Sequence, residues 1–427
     1  MALANRSRSL RLLATGWLLL GAGQIAAARG EEAASRRLTL ADALALAEQN
    51  PTLRAQAQSI ESNRAAEVTA GLHPNPSFQN DTSSATLGVY QEFEIGGKRH
   101  ARLESARLAT SVSKTDYADA RRTLLLNVRQ TFLGALLAKA NAAFARENLS
   151  SFQSVIDLNR LRLEKGALSG ADFLKIELQT LQFQTDLEDA SLAFKTAKAS
   201  LRALLGPSAL PDEFDVEGEL RATAFERNLP ELEQLALSAR PDLKSAETEI
   251  DKASADVQLA KANSYPDPTI GTSLLHTGNE IGGPSWFDPF YPKGETSNSM
   301  GVGISFPIPI FNRNQGEIAR TRSEERRARF LAEAARNQVI QDVETAYAAF
   351  ESSRERVRLY EETYLSRARD SRDTAEFAYQ KGATSVLDLL DAERTFRATE
   401  LAYRKELAAH ETNLALLEAA VGAPLTP

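Results

Sequence analysis

The chain carries one segment twice, and a duplicated half constrains the fold more than any other feature. Residues 163–177 read LEKGALSGADFLKIE, and residues 379–393 read YQKGATSVLDLLDAE. At an offset of 216, seven of these fifteen positions are identical: Lys165/Lys381, Gly166/Gly382, Ala167/Ala383, Ser169/Ser385, Asp172/Asp388, Leu174/Leu390 and Glu177/Glu393. The offset persists at Gly206/Gly422, where each copy ends its last helix. Earlier in each half, Asn50-Pro51 pairs with Arg240-Pro241, and His73-Pro74-Asn75-Pro76-Ser77 pairs with Tyr265-Pro266-Asp267-Pro268-Thr269. Gly88 and Phe93 match Gly301 and Phe306 at an offset of 213. The second half has therefore gained about twenty residues between Thr269 and Met300, and an insertion of that kind belongs in a loop. A period of half the chain implies two copies of one unit, not a solenoid array.

Residues 1–28 read as a secretory signal peptide: Arg6, Arg8 and Arg11 before the apolar run Leu12 to Gly23, then Ala26-Ala27-Ala28 for cleavage. Twelve apolar residues are too few for a membrane span, which needs about 20. Removing three arginines takes the formal charge from −7 to −10 over the remaining 399 of 427 residues. An acidic exported chain lacks the basic footprint of nucleic-acid binding. It has no cysteine, which excludes disulfides, thiolate metal sites, cysteine nucleophiles and lipid attachment through an N-terminal cysteine.

Beyond the leader, one unit over 29–427 contains repeat one (about 38–206) and repeat two (about 230–422). Each repeat reads as helix, strand pair, very long helix, helix. The expected helices are 38–71, 98–165 and 169–205, then 230–263, 313–381 and 384–421, all rich in strong helix formers. Heptad seams run through Ile176, Phe183, Leu187, Ala190, Phe194, Ala197, Leu201 and Leu204, and through Phe396, Tyr403, Leu407, His410, Leu414, Leu417 and Val421. A helix of 68 residues is about 100 Å long. In each repeat the two shorter helices together match the long one, so the expected shape is a rod with an irregular girdle at 206–229.

Strand pairs at about 76–96 and 268–310 lie at one end of that rod. Leu87, Val89, Gln91, Phe93 and Ile95 alternate with Gly88, Tyr90, Glu92 and Glu94, and Val302, Ile304 and Phe306 alternate with Gly301, Gly303 and Ser305. Alternation over about ten residues matches a membrane-barrel strand. Four strands cannot close a barrel around a channel, but three copies of four can. Trp286, Phe287, Phe290 and Tyr291 suit a membrane interface or, alternatively, a small packing nucleus under a long loop.

Catalytic signatures are missing. Gly96-Gly97-Lys98-Arg99 lacks the Ser/Thr and first Gly of a phosphate-binding loop and reads as a strand-to-helix turn. His73, His100, His276 and His410 are scattered, so no metal site within one subunit and no cofactor is expected. No nucleophile elbow, triad or dinucleotide fingerprint occurs.

The duplicated plan, with EFEIGGKR (92–99), SYPDPTIG (264–271) and GISFPIPIFNRNQGEIA (303–319), resembles the TolC family of outer-membrane efflux proteins, most closely the branch typified by CzcC, which serves heavy-metal cation efflux. The resemblance covers about 38–422. It implies a mainly α fold with a small membrane β-barrel part: a coiled-coil tunnel plus four strands per chain, in a homotrimer closing a twelve-stranded barrel. It implies the cell outer membrane, with the tunnel in the periplasm. The implied partners are outer-membrane lipid, a periplasmic adaptor protein and an inner-membrane pump of the resistance-nodulation-division class. The chain would be the passive exit duct, not an enzyme, with organic drugs or secreted polypeptides as the alternative cargo. A periplasmic coiled-coil scaffold is the alternative of another class.

The family closes its periplasmic mouth with side chains near the ends of the two helical hairpins. That resemblance implies a gate of Tyr379, Asp388 and Asp391, with Gly382 and Gly166 at the hairpin turns and Asp172 accepting a hydrogen bond from Tyr379. Thr384 stands where a well-studied member has arginine. The alternative for Asp172, Asp388 and Asp391 is a helix cap or a solvated helix start.

Overall fold

The structure is a computed structural model and describes residues 36–81, 86–207, 210, 211, 213–277 and 297–425. The expected leader (1–28) and the cluster Trp286, Phe287, Phe290 and Tyr291 lie outside the described residues. Repeat one runs β1 (Arg36–Leu38), α1 (Leu40–Ala47), α2 (Pro51–Gly71), β2 (Ser77–Asp81), β3 (Thr86–Glu92), α3 (Lys98–Glu164) and α4 (Gly170–Leu205). After β4 (Phe214–Val216), repeat two runs α5 (Leu229–Ala239), α6 (Pro241–Ala262), β5 (Thr269–Thr277), β6 (Ser297–Ser305), α7 (Gln315–Leu359), a π turn (Tyr360–Tyr364), α8 (Leu365–Gln380) and α9 (Val386–Val421).

Two expected helices are each two. The helices expected at 38–71 and 230–263 break before Pro51 and Pro241. Proline pushes its predecessor out of the α region, and Asn50 (ψ 131°) and Arg240 (ψ 122°) are both extended. Asn50 then caps α2 by accepting the Thr52 N–H (2.8 Å). The expected girdle is also more ordered than its sequence suggests. β1 and β4 pair in parallel, and Lys139 donates to Asp215 and to the Val216 carbonyl (both 2.6 Å).

Two equatorial cores correspond element by element. In repeat one, α1, α3 and α4 enclose Leu38, Val128, Phe132, Leu201, Leu205 and Val216. In repeat two, α5, α7 and α9 enclose Phe225, Leu232, Val339, Phe350, Leu417 and Val421. Equivalent residues tie off the ends of α4 and α9. The Asn50 amide donates to the Leu204 carbonyl (2.8 Å). Arg240, buried, donates to the Ala420 carbonyl (3.1 Å) and pairs with Asp342 (2.9 Å) and Asp242 (2.6 Å). Burial alone would raise the Asp242 carboxyl, but Arg240 outweighs it and holds the group below the usual aspartate range. Gly422 has φ +77°, and a Cβ there would come within 3.2 Å of the Arg240 backbone.

Above the equator the helices neighbour one another in the order α2–α3–α6–α7; below it, α4–α3–α9–α8. The end sheet has the order β2–β3–β5–β6, antiparallel throughout. Its register sorts the side chains. Phe78, Val89, Thr272 and Val302 lie in one row, and Leu87, Leu274 and Met300 in another, all on one exposed face. The opposite face carries Gly88, Tyr90, Gly271, Ser273, Gly301 and Gly303. The Tyr90 ring lies across Gly88 and Gly271, where any Cβ would collide with it. An apolar face backed by a small, polar one is the barrel pattern.

Arg240→Ala leaves two carboxylates without their shared cation and the end of α9 uncapped. The expected loss is about 3 kcal/mol, because breaking a largely buried pair is costly. Asn50→Ala should lose about 1 kcal/mol, the usual size for a lost cap. Chemical denaturation in detergent measures both, and equal losses would contradict the asymmetry.

Candidate functional site

The two helical hairpins end in matching turns. After α3, Gly166 (φ +73°) lets the chain reverse, with Gly166 N–H donating to Leu163 (3.0 Å) and Ala167 N–H to Arg162 (2.8 Å). After α8, Gly382 (φ +73°) does the same, donating to Tyr379 (3.1 Å), and Ala383 donates to Ala378 (2.9 Å). The left-handed glycine with this bond pair is the Schellman stop. The next helices start alike as well. Ser169 accepts the Asp172 N–H (3.0 Å) and donates to its carboxylate (2.8 Å). Ser385 and Asp388 form a reciprocal capping box. Lys175 adds a bond to Asp172 (2.9 Å), and Thr384 adds one to Asp388 (2.7 Å). These bonds, from Lys175 and Ser169 and from Thr384 and Ser385, hold both carboxyls below the usual aspartate range. Asp391 lies one turn beyond Asp388 on the same face of α9, exposed and without a partner among the described residues.

Tyr379 is where the hairpins meet. Only 6 % exposed, it packs among Phe152, Ile156, Ile176, Val386 and Leu389 from α3, α4 and α9. Its hydroxyl donates to Asn159 Oδ1, not to Asp172 as the resemblance implied. The reason is placement: Asp172 faces its own turn, held by Ser169 and Lys175, whereas α8 aims Tyr379 into α3. Asn159 is fully buried, and its amide donates to the Val155 carbonyl (2.7 Å), fixing Oδ1 as the acceptor. Arg162 lies over the Tyr379 ring (5.1 Å) and donates to the Gln380 carbonyl (3.1 Å). Thr384 stays within its own turn.

Further up, arginines continue the seam between hairpins. Arg397 of α9 pairs with Asp186 of α4 (3.1 Å) and lies over Phe183 (4.3 Å). Arg404, one heptad on, donates to the Ala140 carbonyl of α3 (3.3 Å) and lies over Phe144 (4.6 Å). Beside them is a cavity of about 530 Å³ that Glu393, Arg372, Glu376 and Glu400 line. Burial, with Glu376 and Asp373 nearby, holds the Glu393 carboxyl above the usual glutamate range despite Arg372 and Arg397. Asn159, Arg162, Asp186, Arg397 and Arg404 escape sequence reading, because polar partners on different helices carry no periodic signal. Among the described residues no three metal-ligating side chains gather, and no helix is long and apolar enough to cross a membrane.

At the other end, the strings 92–99 and 264–271 clasp each other. Lys98 pairs with Asp267, whose second oxygen accepts the Ile95 N–H (2.9 Å). Arg102 holds Glu94 and donates to the Ala70 and Leu72 carbonyls (2.9 Å each). Gly96 is left-handed (φ +71°), and the Tyr265 ring sits where its Cβ would be.

Comparison with known proteins agrees with this geometry. The family model for outer membrane efflux proteins matches residues 24–207 and 232–423. The cobalt-zinc-cadmium resistance protein CzcC of Cupriavidus metallidurans is 26 % identical over 377 residues, covering 86 % of this chain and 85 % of that one. The pyoverdine export outer membrane protein OpmQ of Pseudomonas aeruginosa is 28 % identical over 391 residues, covering 90 % and 77 %. In fold, the chain resembles the CusC channel: TM-score 0.74 at 21 % identity, covering 90 % and 92 %.

Depressed carboxyl pKa values at the two turns set a pH response. Such a group stabilises the fold above its unfolded value, about 3.9 for aspartate, and that contribution is lost as pH falls through the folded value. Hydrogen exchange at residues 165–172 and 381–388, corrected for intrinsic rates, is therefore expected to stay level from pH 8 to about 5 and to rise below about pH 4. A rise already at neutral pH would contradict the capping geometry.

Proposed function

Because this chain belongs to the outer membrane efflux protein family, we propose that three copies form one passive exit duct for heavy-metal cations. In this reading a periplasmic adaptor and an inner-membrane pump of the resistance-nodulation-division class deliver the cargo. The family membership makes the chain an outer-membrane efflux channel with a helical tunnel extending into the periplasm. The observation that carries the trimer is the agreement of three layers. The sheet ends in β2 and β6, the upper helices in α2 and α7, and the lower helices in α4 and α8. One flank of the protomer is thus β2, α2 and α4; the other is β6, α7 and α8. Head-to-tail contact of unlike flanks makes a ring when the rotation closes, and hydrocarbon does not tolerate open strand edges.

Similarity to CzcC, a cobalt-zinc-cadmium resistance protein, supports the metal cargo. Similarity to OpmQ, a pyoverdine export protein, supports the second reading, an organic cargo. A scaffold that never enters the membrane does not account for the exposed apolar rows Leu87–Leu274–Met300 and Val89–Val302.

Native mass spectrometry of detergent-extracted protein is expected to give a trimer with no stable membrane-inserted monomer. A predominant dimer or monomer would sink the ring.

The gate is proposed on the hairpin tips. Threefold symmetry turns Asp388 and Asp391 into two rings of three carboxylates, which attract cations and repel anions. Tyr379, through Asn159, and Arg162, through the Gln380 carbonyl, hold the second hairpin against the first. In single-channel recordings, Asp388→Asn with Asp391→Asn should weaken cation selectivity and block by multivalent cations. Tyr379→Phe should instead raise the open fraction with selectivity largely intact, since a buried acceptor left unsatisfied costs about 1–3 kcal/mol. Asn159→Ala should resemble it, and Asp172→Ala should not. Anion selectivity in the unaltered channel would favour the organic cargo, and unchanged selectivity in the double variant would remove both aspartates from the gate.

A further inference from the structure

We infer that residues 306–311, with Phe93 and Ile95, form the periplasm-facing edge of the lipid band, and that a phospholipid leaflet is their partner, with Arg313 at its headgroup phosphates. The inference rests on the outer-membrane location and adds the place where the bilayer ends on this chain.

The strand register fixes the upper edge. On the apolar face, the row above Leu87, Leu274 and Met300 is polar: His276 stands opposite Asn298 and bonds to it (2.7 Å). From Met300 to Ile304 the apolar row of β6 covers only about 13 Å along the strand at about 3.3 Å per residue. A barrel needs an apolar band about 25 Å tall. Beyond the last paired residue, Ser305, the same parity continues through Phe306, Ile308 and Ile310, all well exposed. Counting to Ile308, before the chain turns, gives about 26 Å along the chain, or about 20 Å of height at the usual tilt of about 40°, and Ile310 and Phe311 add to it. The band reaches the required height only if it includes this segment. On the neighbouring strand, Phe93 and Ile95 continue the row of Leu87 and Val89 past the end of β3, at the same level. Phe93 N–H donates to the Pro268 carbonyl (2.9 Å).

The two prolines and one turn reduce the number of unpaired donors in this segment. Irregular chain at a lipid surface is costly because its N–H groups lack acceptors. Pro307 and Pro309 have no N–H, and the Ile310 N–H donates to the Ile308 carbonyl (2.9 Å). Phe311 then stands 89 % exposed at the end of the row, where an aromatic ring meets the headgroup level. Two residues on, Arg313 bends back so that its Nε donates to the Pro309 carbonyl (3.4 Å), and no carboxylate among the described residues pairs with it. A guanidinium with no carboxylate partner, two residues from an exposed phenyl ring, matches a phosphate above acyl chains.

The test uses full-length protein in phosphatidylcholine vesicles. In a Trp17→Phe, Trp286→Phe background, Phe311→Trp and Val302→Trp each place the one indole at the proposed edge and mid-band. Bromines near the lipid carbonyls should quench Phe311→Trp more than bromines near the chain ends, with the reverse order for Val302→Trp. Adding Arg313→Gln should lower quenching by brominated anionic lipid relative to brominated phosphatidylcholine, with about a fivefold fall in relative association. An unquenched Phe311→Trp beside a quenched Val302→Trp overturns the anchor and leaves the membrane location standing. Two unquenched indoles overturn both. Deeper quenching of Phe311→Trp than of Val302→Trp overturns the assignment of the edge.

Discussion

Hydrocarbon offers no water to an unpaired N–H or C=O, and that constraint reaches from the sheet into every helix of this chain. The sheet β2–β3–β5–β6 has two unpaired edges. Each edge strand continues into a flank of the helical layers, so pairing the strands of neighbouring copies also sets α2 and α4 against α7 and α8. The exposed apolar residues of the flanks agree with such contacts: Leu174, Leu178 and Leu181 along α4, and Phe330 and Phe377 on α7 and α8. Burying a leucine is worth about 1.5–3 kcal/mol, so burial of these flanks would add to strand pairing in the proposed ring.

Duplication explains how one chain supplies both sides of such a ring. The two equatorial cores share a plan, but their closures differ in strength. Asn50 ties off α4 with one neutral bond, whereas Arg240 ties off α9 with one bond to a carbonyl and two ion pairs. The stronger closure lies at the end of α9, beside the inter-repeat contacts Arg129–Glu418 and Arg122 to the Ala419 carbonyl.

The long helices, both strand pairs and the hairpin turns were legible because their signals are periodic or repeated. The seam positions Ile176, Phe183, Phe396 and Leu414 are buried as a heptad requires. Asn50-Pro51 and Arg240-Pro241 were visible too, but their weight as helix breaks emerges only once Asn50 and Arg240 are seen reaching for the ends of α4 and α9. β1 and β4 were not legible, since three-residue strands show no alternation. The partner of Tyr379 was not legible for a different reason. Asn159 is 220 residues away, and only the docking of α8 on α3 brings the two together. The clasp at 92–99 and 264–271 lies between these cases: its strings were conspicuous, but the Lys98–Asp267 pair and the Gly96–Tyr265 contact that explain them belong to the fold.

Apolar and polar contacts between the repeats are distributed unevenly along the seam. At the equator each repeat keeps its own packed core, and contacts from Arg129 and Arg122 of α3 to the end of α9 join the two. Below it, the second hairpin meets the first through the Phe183 and Phe144 stacks of Arg397 and Arg404, a cavity around Glu393, and the apolar cluster of Phe152, Ile156 and Ile176 with Tyr379, Val386 and Leu389, which encloses the Tyr379–Asn159 bond. Arg397 Nη1 and Arg404 Nε are buried against those rings without an acceptor among the described residues. From Phe350 in the equatorial core of repeat two to Tyr379 is about 44 Å of helix at 1.5 Å per residue. Over such a lever, a rotation of about 10° at the equator shifts the tip by about 8 Å. The π turn at Tyr360–Tyr364 lies within this lever, a local unwinding of the kind at which helices bend. In the proposed gate, the Tyr379–Asn159 bond sits inside an apolar cluster that spans both repeats, so opening must break that packing as well as the bond.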